Sequence, residues 1–250
     1  MHGRGPFSFN EHNVASIRKV FSASPGPLPP LPVGLPWSSA STWGDAESER
    51  AARKAAVLVP LCNRDGIASF LFTVRSSKVS TYKGQVSFPG GHVEDGEDDI
   101  GAALRETREE IGDNLGEIEV LGTCQTLAAV TGTAVTPVLA FVRQDVGPLL
   151  SELVLSPDEV DSVFTLSVSE LLDPSFRVVD DLGVRGLVPA FTAGPSRVWG
   201  LTALITDGVL RNGIVPLLVG HLSPAKEGGG GGGWYGPPRN GNRSSNSSFL

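Results

Sequence analysis

The sequence predicts an α/β fold. Two observations carry that expectation. Short stretches in which apolar and polar residues alternate stand before and after one strongly helical segment. A Pro-Gly-Gly turn, Pro89-Gly90-Gly91, joins the last of the early strands to that helix. The helical segment covers residues 98–111, with Ile100, Ala103, Leu104, Thr107 and Ile111 at core-facing spacing.

The chain has 250 residues, room for one domain with a proper core or for two small ones. Its net charge of −7 argues against general nucleic-acid binding. No apolar run is expected to reach the roughly 20 residues of a membrane span. Residues 1–50 are poor in core pattern and are expected to be a flexible segment. Two readings stand for its first part. Residues 13–21 form a short amphipathic helix, or they belong to a tail; Arg4, Arg18 and Lys19 against only Glu11 are compatible with a weak mitochondrial transit segment. Residues 24–36 are a proline-rich linker.

The folded domain is expected over residues 51–222. Residues 55–61 and 69–74 read as strands joined by the turn Asn63-Arg64-Asp65-Gly66. The second strand delivers Arg75, and Lys78 and Lys83 follow. One reading makes these ordinary surface charge. The other makes them a basic cluster on the approach to an anionic substrate, with Arg75 favoured because guanidinium binds phosphate in a bidentate way.

The helix at 98–111 carries a second pattern. Glu106, Glu109 and Glu110 stand at i, i+3 and i+4, so their carboxylates converge and repel. Converging carboxylates suit a hard cation with oxygen ligands, Mg²⁺ or Mn²⁺. Glu97, Asp98 and Asp99 sit where the helix dipole favours negative charge, and Gly112 where a helix commonly stops.

Residues 119–127 and 134–142 read as further strands around a turn of small residues at 128–133. Glu159 is a candidate ligand or base, or else a first-turn helix glutamate. Residues 167–172 read as a short helix, 184–191 as a strand, and 199–210 as a terminal helix with Trp199 in the core. Residues 223–250, with Gly228 to Gly233, form a disordered tail. Cys62 and Cys124 lie in apolar runs and are expected to be buried free thiols. None of the four histidines makes a site.

The spacing Gly91, five residues, Glu97, seven residues, Arg105-Glu106, two residues, Glu109-Glu110, one residue, Gly112 resembles the Nudix box. Every charged and glycine position agrees; Thr107 and Asp113 stand where that box has bulky apolar residues. Upstream, residues 71–77 and 83–91 resemble the extra motif of the coenzyme A diphosphatase branch of Nudix hydrolases, with Tyr82 where that branch usually has His. The elements Pro157-Asp158-Glu159-Val160 and Trp199-Gly200-Leu201-Thr202-Ala203 resemble later parts of such chains, so that the likeness covers roughly residues 55–222.

The resemblance implies an α/β/α sandwich with a mixed central sheet. It implies metal held by Gly91, Glu106, Glu109 and Glu110, with Glu106 the first choice as base or ligand, and Arg105 paired with Glu97 behind them. It implies substrate contacts from Arg75, Lys78, Lys83 and Gln85. The implied reaction is metal-dependent hydrolysis of coenzyme A or acyl-coenzyme A to 3′,5′-ADP and (acyl-)4′-phosphopantetheine. Alternatives are a hydrolase of NADH or ADP-ribose, and a binding module without catalysis. The implied partner is a small molecule, with no nucleic acid and no membrane, and a homodimer is compatible. The compartment implied is mitochondrial or cytoplasmic. Ser248-Phe249-Leu250 lacks the basic middle residue of a peroxisomal address.

Overall fold

The computed structural model describes residues 6–22, 53–181 and 187–222. The linker at 24–36, the tail at 223–250 and the start of the strand expected at 184–191 lie outside the described residues.

The frame is set by one hairpin. Strands β1 (Lys54–Arg64) and β2 (Ile67–Arg75) pair antiparallel next to their turn, from Leu61↔Phe70 to Arg64↔Ile67. Asp65 and Gly66 make that turn with φ of 53° and 76°, the left-handed pair that the twist of a two-residue hairpin requires. Further along, β1 and β2 separate. Two short strands fill the gap: β3 (Val86–Ser87) pairs with β2, and β4 (Gly90–His92) pairs with β1. The Pro89-Gly90-Gly91 turn therefore lies inside a wedge of the sheet.

The sheet extends on both sides of the wedge. Strand β7 (Ala134–Asp145) runs parallel to β1 along its other edge, and β5 (Ile118–Thr123) and β6 (Leu127–Ala128) pair antiparallel with β7. Strand β8 (Val160–Ser167) closes the outer edge of β2. The sheet is mixed, as expected. The strand expected at 119–127 is broken into two, and the one expected at 134–142 runs on to Asp145.

Alternation along the strands sends successive side chains to opposite faces. Ala56, Leu58, Val138 and Ala140 face Ala102 and Ala103 of the helix α2 (Asp99–Ile111). Small residues meet small residues there, so α2 lies close on the sheet. The other face presents Val59, Leu61, Phe70, Phe72, Leu139 and Phe141 to the larger core. Helix α1 (Glu11–Phe21) and a long terminal helix cover it.

That terminal helix runs as α5 (Gly200–Val209), a π-helical turn (Leu210–Ile214) and α6 (Val215–Leu222), after the short helices α3 (Val146–Leu149) and α4 (Val168–Leu172) and a separate hairpin of β9 (Arg177–Asp181) and β10 (Leu187–Phe191). The expectation that no apolar run reaches membrane-spanning length is corrected: Gly200–Val219 is long and apolar enough by length and composition, with mean hydropathy 1.3. More than half of that window is buried, with Ala203, Ile205, Val209, Leu210 and Ile214 in the core. Buried Asp207 pairs with Arg177 and Arg211.

A second correction concerns the first 22 residues. Residues 6–22 are not a flexible segment: the helix offered for residues 13–21 forms as Glu11–Phe21, and the boundary expected at residue 51 leaves out part of the core. Phe9, Val14, Ile17 and Phe21 are buried against the sheet. Asn63 Oδ1 accepts from the Phe9 N–H and Asn63 Nδ2 donates to the Phe9 carbonyl, both at 2.8 Å, so one side chain substitutes for a missing strand partner. Gly122 admits the helix end, since a Cβ there would lie 2.2 Å from the Phe21 carbonyl oxygen. Arg18 and Arg143 both pair with Glu119 beside this contact.

Four such side chains at about 1.5–3 kcal/mol each represent roughly 6–12 kcal/mol of apolar burial, comparable to the whole stability of a domain. A chain lacking residues 1–22 is expected to lose its cooperative urea transition, which circular dichroism follows directly. An unchanged transition midpoint would show that α1 contributes nothing to the fold.

Candidate active site

The site forms where α2 crosses the wedge. Asp98 caps the helix, its Oδ1 accepting from the Gly101 N–H at 2.7 Å, as a short carboxylate at this position does. Thr107, at one of the departures from the Nudix pattern, is buried and donates its hydroxyl to the Ala103 carbonyl at 2.6 Å. That bond satisfies its polar atom inside the helix. At the other departure, Asp113 is exposed and begins a 3₁₀ turn (Asp113–Leu115), and buried Leu115 supplies the apolar contact two residues later.

The glycine turn is pinned from both sides. Leu58 donates its N–H to the Pro89 carbonyl at 2.8 Å, and Phe88 stacks on Phe72 with centroids 5.0 Å apart. A Cβ on Gly90 would lie 2.3 Å from the Ala56 carbonyl oxygen. A Cβ on Gly91 would overlap the Glu106 carboxylate, 2.3–2.5 Å from its atoms. Gly90 lets the loop lie flat on the β1 backbone, and Gly91 leaves room for the Glu106 carboxylate of α2 directly above. The Thr202 hydroxyl donates to the Val86 carbonyl at 3.1 Å, so the Trp-Gly-x-Thr-Ala stretch steadies β3 from the terminal helix. Trp199 is half-buried at the start of that helix.

The three glutamates differ in setting. Glu110 is only 5 % exposed, and its Oε2 accepts from the Gly90 N–H at 3.2 Å. Burial pushes its carboxyl up to about 8; the Gly90 bond and the Arg75 guanidinium oppose this, and Glu106 and Glu159 add to it. Glu106 is raised too, by burial first, against the pull of Arg105 and with the help of Glu109 and Glu159. Glu109 is more than half exposed. So the three converging carboxylates expected from spacing divide into one exposed and two more buried groups.

Arg105 is the hub. Its Nε and Nη2 grip Glu97 through both carboxylate oxygens at 3.1 and 3.0 Å, and Nη2 also reaches the His92 carbonyl at 3.0 Å. The fork holds the Glu97 carboxyl below the usual range. Its Nη1 lies 3.1 Å from both Glu106 and Glu109. The pairing of Arg105 with Glu97 is the one the resemblance implied.

The metal set is not closed as expected. Among the described residues no three His, Cys, Asp or Glu side chains stand close enough together to hold an ion as placed. Arg105 Nη1 pairs with Glu109 and with one oxygen of Glu106. The donor chemistry still fits a hard divalent cation. Glu106 and Glu110 crowd like charge beside Gly90 and Gly91, and exposed side chains such as Glu109 change rotamer within picoseconds to nanoseconds.

The expected substrate residues divide. Arg75 reaches the centre, its guanidinium acting on Glu110 and its Nε buried without a hydrogen-bond partner. Its backbone N–H and carbonyl are tied to Gln85 and Gly84 across the loop. Gln85 is half-buried, and Lys83 is exposed. Lys78 is paired with Asp158 at 2.9 Å. Glu159 lies in a turn before β8, not in the first turn of a helix, and its charge acts on both Glu106 and Glu110. Residues 156–160 are held there by contacts that sequence reading missed. Ser156 donates its N–H to the Glu110 carbonyl at 2.9 Å, and Ser76 donates its N–H to the Glu159 carbonyl at 2.8 Å and its hydroxyl to the Pro157 carbonyl at 3.1 Å. Partners 46 to 83 positions apart leave no local signal. Cys62 and Cys124 are buried free thiols, as expected, and burial pushes Cys124 up to about 12.

The NUDIX domain model matches residues 52–183, and the chain belongs to the Nudix hydrolase family, an α/β fold with a mixed sheet. Over 164 residues it is 43% identical to the mitochondrial coenzyme A diphosphatase NUDT8 of Mus musculus, covering 63% of this chain and 76% of that one. The Homo sapiens protein of the same name is 42% identical over 164 residues, covering 63% and 68%. Nudix hydrolase 3 of Caenorhabditis elegans is 32% identical over 171 residues, covering 62% and 70%.

Gly91→Ala tests the packing of loop on helix. The atoms displaced are the tip of a flexible glutamate, so folding should survive with a Tm within a few degrees. Displacing Glu106 should lower kcat at least about 10-fold. Full activity in the Gly91→Ala variant would show that Glu106 is not needed where it stands.

Proposed function

We propose that this chain hydrolyses the diphosphate of coenzyme A or acyl-coenzyme A to 3′,5′-ADP and (acyl-)4′-phosphopantetheine. The observation that carries the reading is Arg75, within the coenzyme A-type motif at the end of β2: its Nε is buried without a hydrogen-bond partner, and its charge opposes the rise of the Glu110 carboxyl on the acidic helix. A basic group beside an acidic, cation-binding centre is what a nucleoside diphosphate needs. The relatives named coenzyme A diphosphatases support the substrate, and their name supports a mitochondrial location.

Glu106, Glu109, Glu110 and the Gly91 carbonyl would hold Mg²⁺ or Mn²⁺; Nudix hydrolases generally use divalent metals. When bound, such a cation neutralises diphosphate charge and lowers the pKa of a coordinated water. Glu106, close to Gly91 and raised by burial, is suited to take the proton of the attacking water. Glu97 acts through Arg105, whose position it fixes. Arg75 orients the anionic substrate, and Gln85 shapes the loop that carries it.

Incubation with coenzyme A and Mg²⁺ or Mn²⁺, followed by mass spectrometry, should give 3′,5′-ADP and 4′-phosphopantetheine, and none with chelator. Turnover of NADH or ADP-ribose instead would keep the diphosphate chemistry and discard the substrate. Turnover of nothing would leave a binding module.

Glu110 supplies a test with two opposite signs. Its folded carboxyl is raised to about 8 from an ordinary value near 4.5, so the cation-free fold loses stability as pH rises from about 4.5 to about 8, and the loss is complete above that. In chelator, Glu110→Gln should therefore equal or exceed the wild type in stability, most clearly at pH 8 and above. The same variant should lose Mn²⁺ binding, and wild-type Mn²⁺ affinity should tighten from pH 6.5 to 8.5. Isothermal titration and urea melts read the two effects; Mn²⁺ binding that is independent of pH would remove Glu110 from the ligand set.

A further inference from the structure

Lys78 and Asp158 pair on the segments that carry Arg75 and Glu159. Lys78 Nζ lies 2.9 Å from Asp158 Oδ1, with the side chains 61 % and 78 % exposed. Both partners rest on Ser76. Asp158 belongs to the turn whose Pro157 and Glu159 carbonyls accept from the Ser76 hydroxyl and N–H, and Glu159 in that turn raises the carboxyls of Glu106 and Glu110. Lys78, three residues beyond Arg75, donates its own N–H to Ser76 Oγ at 3.3 Å, and the residues after it, through Gly84, are mostly exposed.

An exposed ion pair of this kind is weak and is exchanged easily for a stronger anion. A phosphomonoester brings up to two charges and three acceptor oxygens, against one charge on the carboxylate. We propose that Asp158 is a specificity-determining residue that occupies Lys78 until a substrate phosphomonoester displaces it. The Asp158 carboxylate then suppresses binding of anions that cannot compete for Lys78, and the site favours nucleotides bearing a phosphate beyond the scissile diphosphate. This deepens the coenzyme A reading, on which it rests for the identity of that phosphate as the 3′ group.

The test is direct binding to the full chain in chelator at low ionic strength, with 3′,5′-ADP and 5′-AMP as probes. Asp158→Asn should tighten 3′,5′-ADP by about three- to ten-fold and leave 5′-AMP unchanged. Lys78→Met should weaken 3′,5′-ADP selectively, and the double variant should behave as Lys78→Met alone. Survival of the Asp158→Asn gain without Lys78 would reduce the effect to a general field and overturn the proposal. So would equal shifts for both nucleotides, or no shift.

Hydrolysis by the wild type is measured alongside, comparing coenzyme A with dephospho-coenzyme A. Turnover of coenzyme A with no Asp158 effect overturns this proposal and keeps the reaction. Absence of coenzyme A turnover with the selective binding effect intact overturns the reaction and keeps Asp158.

Discussion

Crowded negative charge on one short helix is the constraint on which the rest depends. Glu106, Glu109 and Glu110 fall within five residues of α2, and at this spacing their repulsion works against helix and packing alike. Arg105 offsets it locally. The guanidinium spans Glu97, Glu106 and Glu109 at 3.0–3.1 Å, and the planar fork holds Glu97 by two oxygens, which a lysine ammonium would not do with the same geometry. Glu110 lies outside that reach, and its burial stays only partly compensated by the Gly90 N–H and by Arg75. The site thus carries an excess of inward carboxylate that a cation would relieve.

Everything around α2 serves to hold this charge against the glycine turn. Ala102 and Ala103 over Ala56, Leu58, Val138 and Ala140 let the helix approach the sheet closely. Gly90 and Gly91 let the loop occupy the remaining space, and the Phe72–Phe88 stack anchors it from the opposite face. The divergence of β1 from β2 opens the wedge in which the loop sits. Helix α1 and the terminal helix then cover the apolar face that this open sheet exposes.

Much of the centre was legible in the sequence. Carboxylates three and four residues apart share a helix face by geometry alone, the negative charge at the helix start and the Asp65-Gly66 turn are likewise local, and the pairing of Glu97 with Arg105 came from the resemblance to the Nudix box. What the sequence hid has a common cause. The docking of α1 depends on Asn63 reaching Phe9 across 54 positions, in a segment whose composition alone reads as a tail. Glu159 enters the centre because Ser76 and Ser156 hold its turn, through backbone bonds that any residue type could make.

The sequence by itself determined the class of fold, the acidic helix and the residues that meet at its face, because helix periodicity, glycine turns and caps act over a few residues. Only the tertiary structure decided which glutamate is buried and which exposed, that Arg105 occupies the middle of the expected metal set, and that Asp158 holds Lys78. Burial and electrostatic partnership depend on distances between chain segments far apart in sequence, and the close packing of the sheet against its two layers sets those distances.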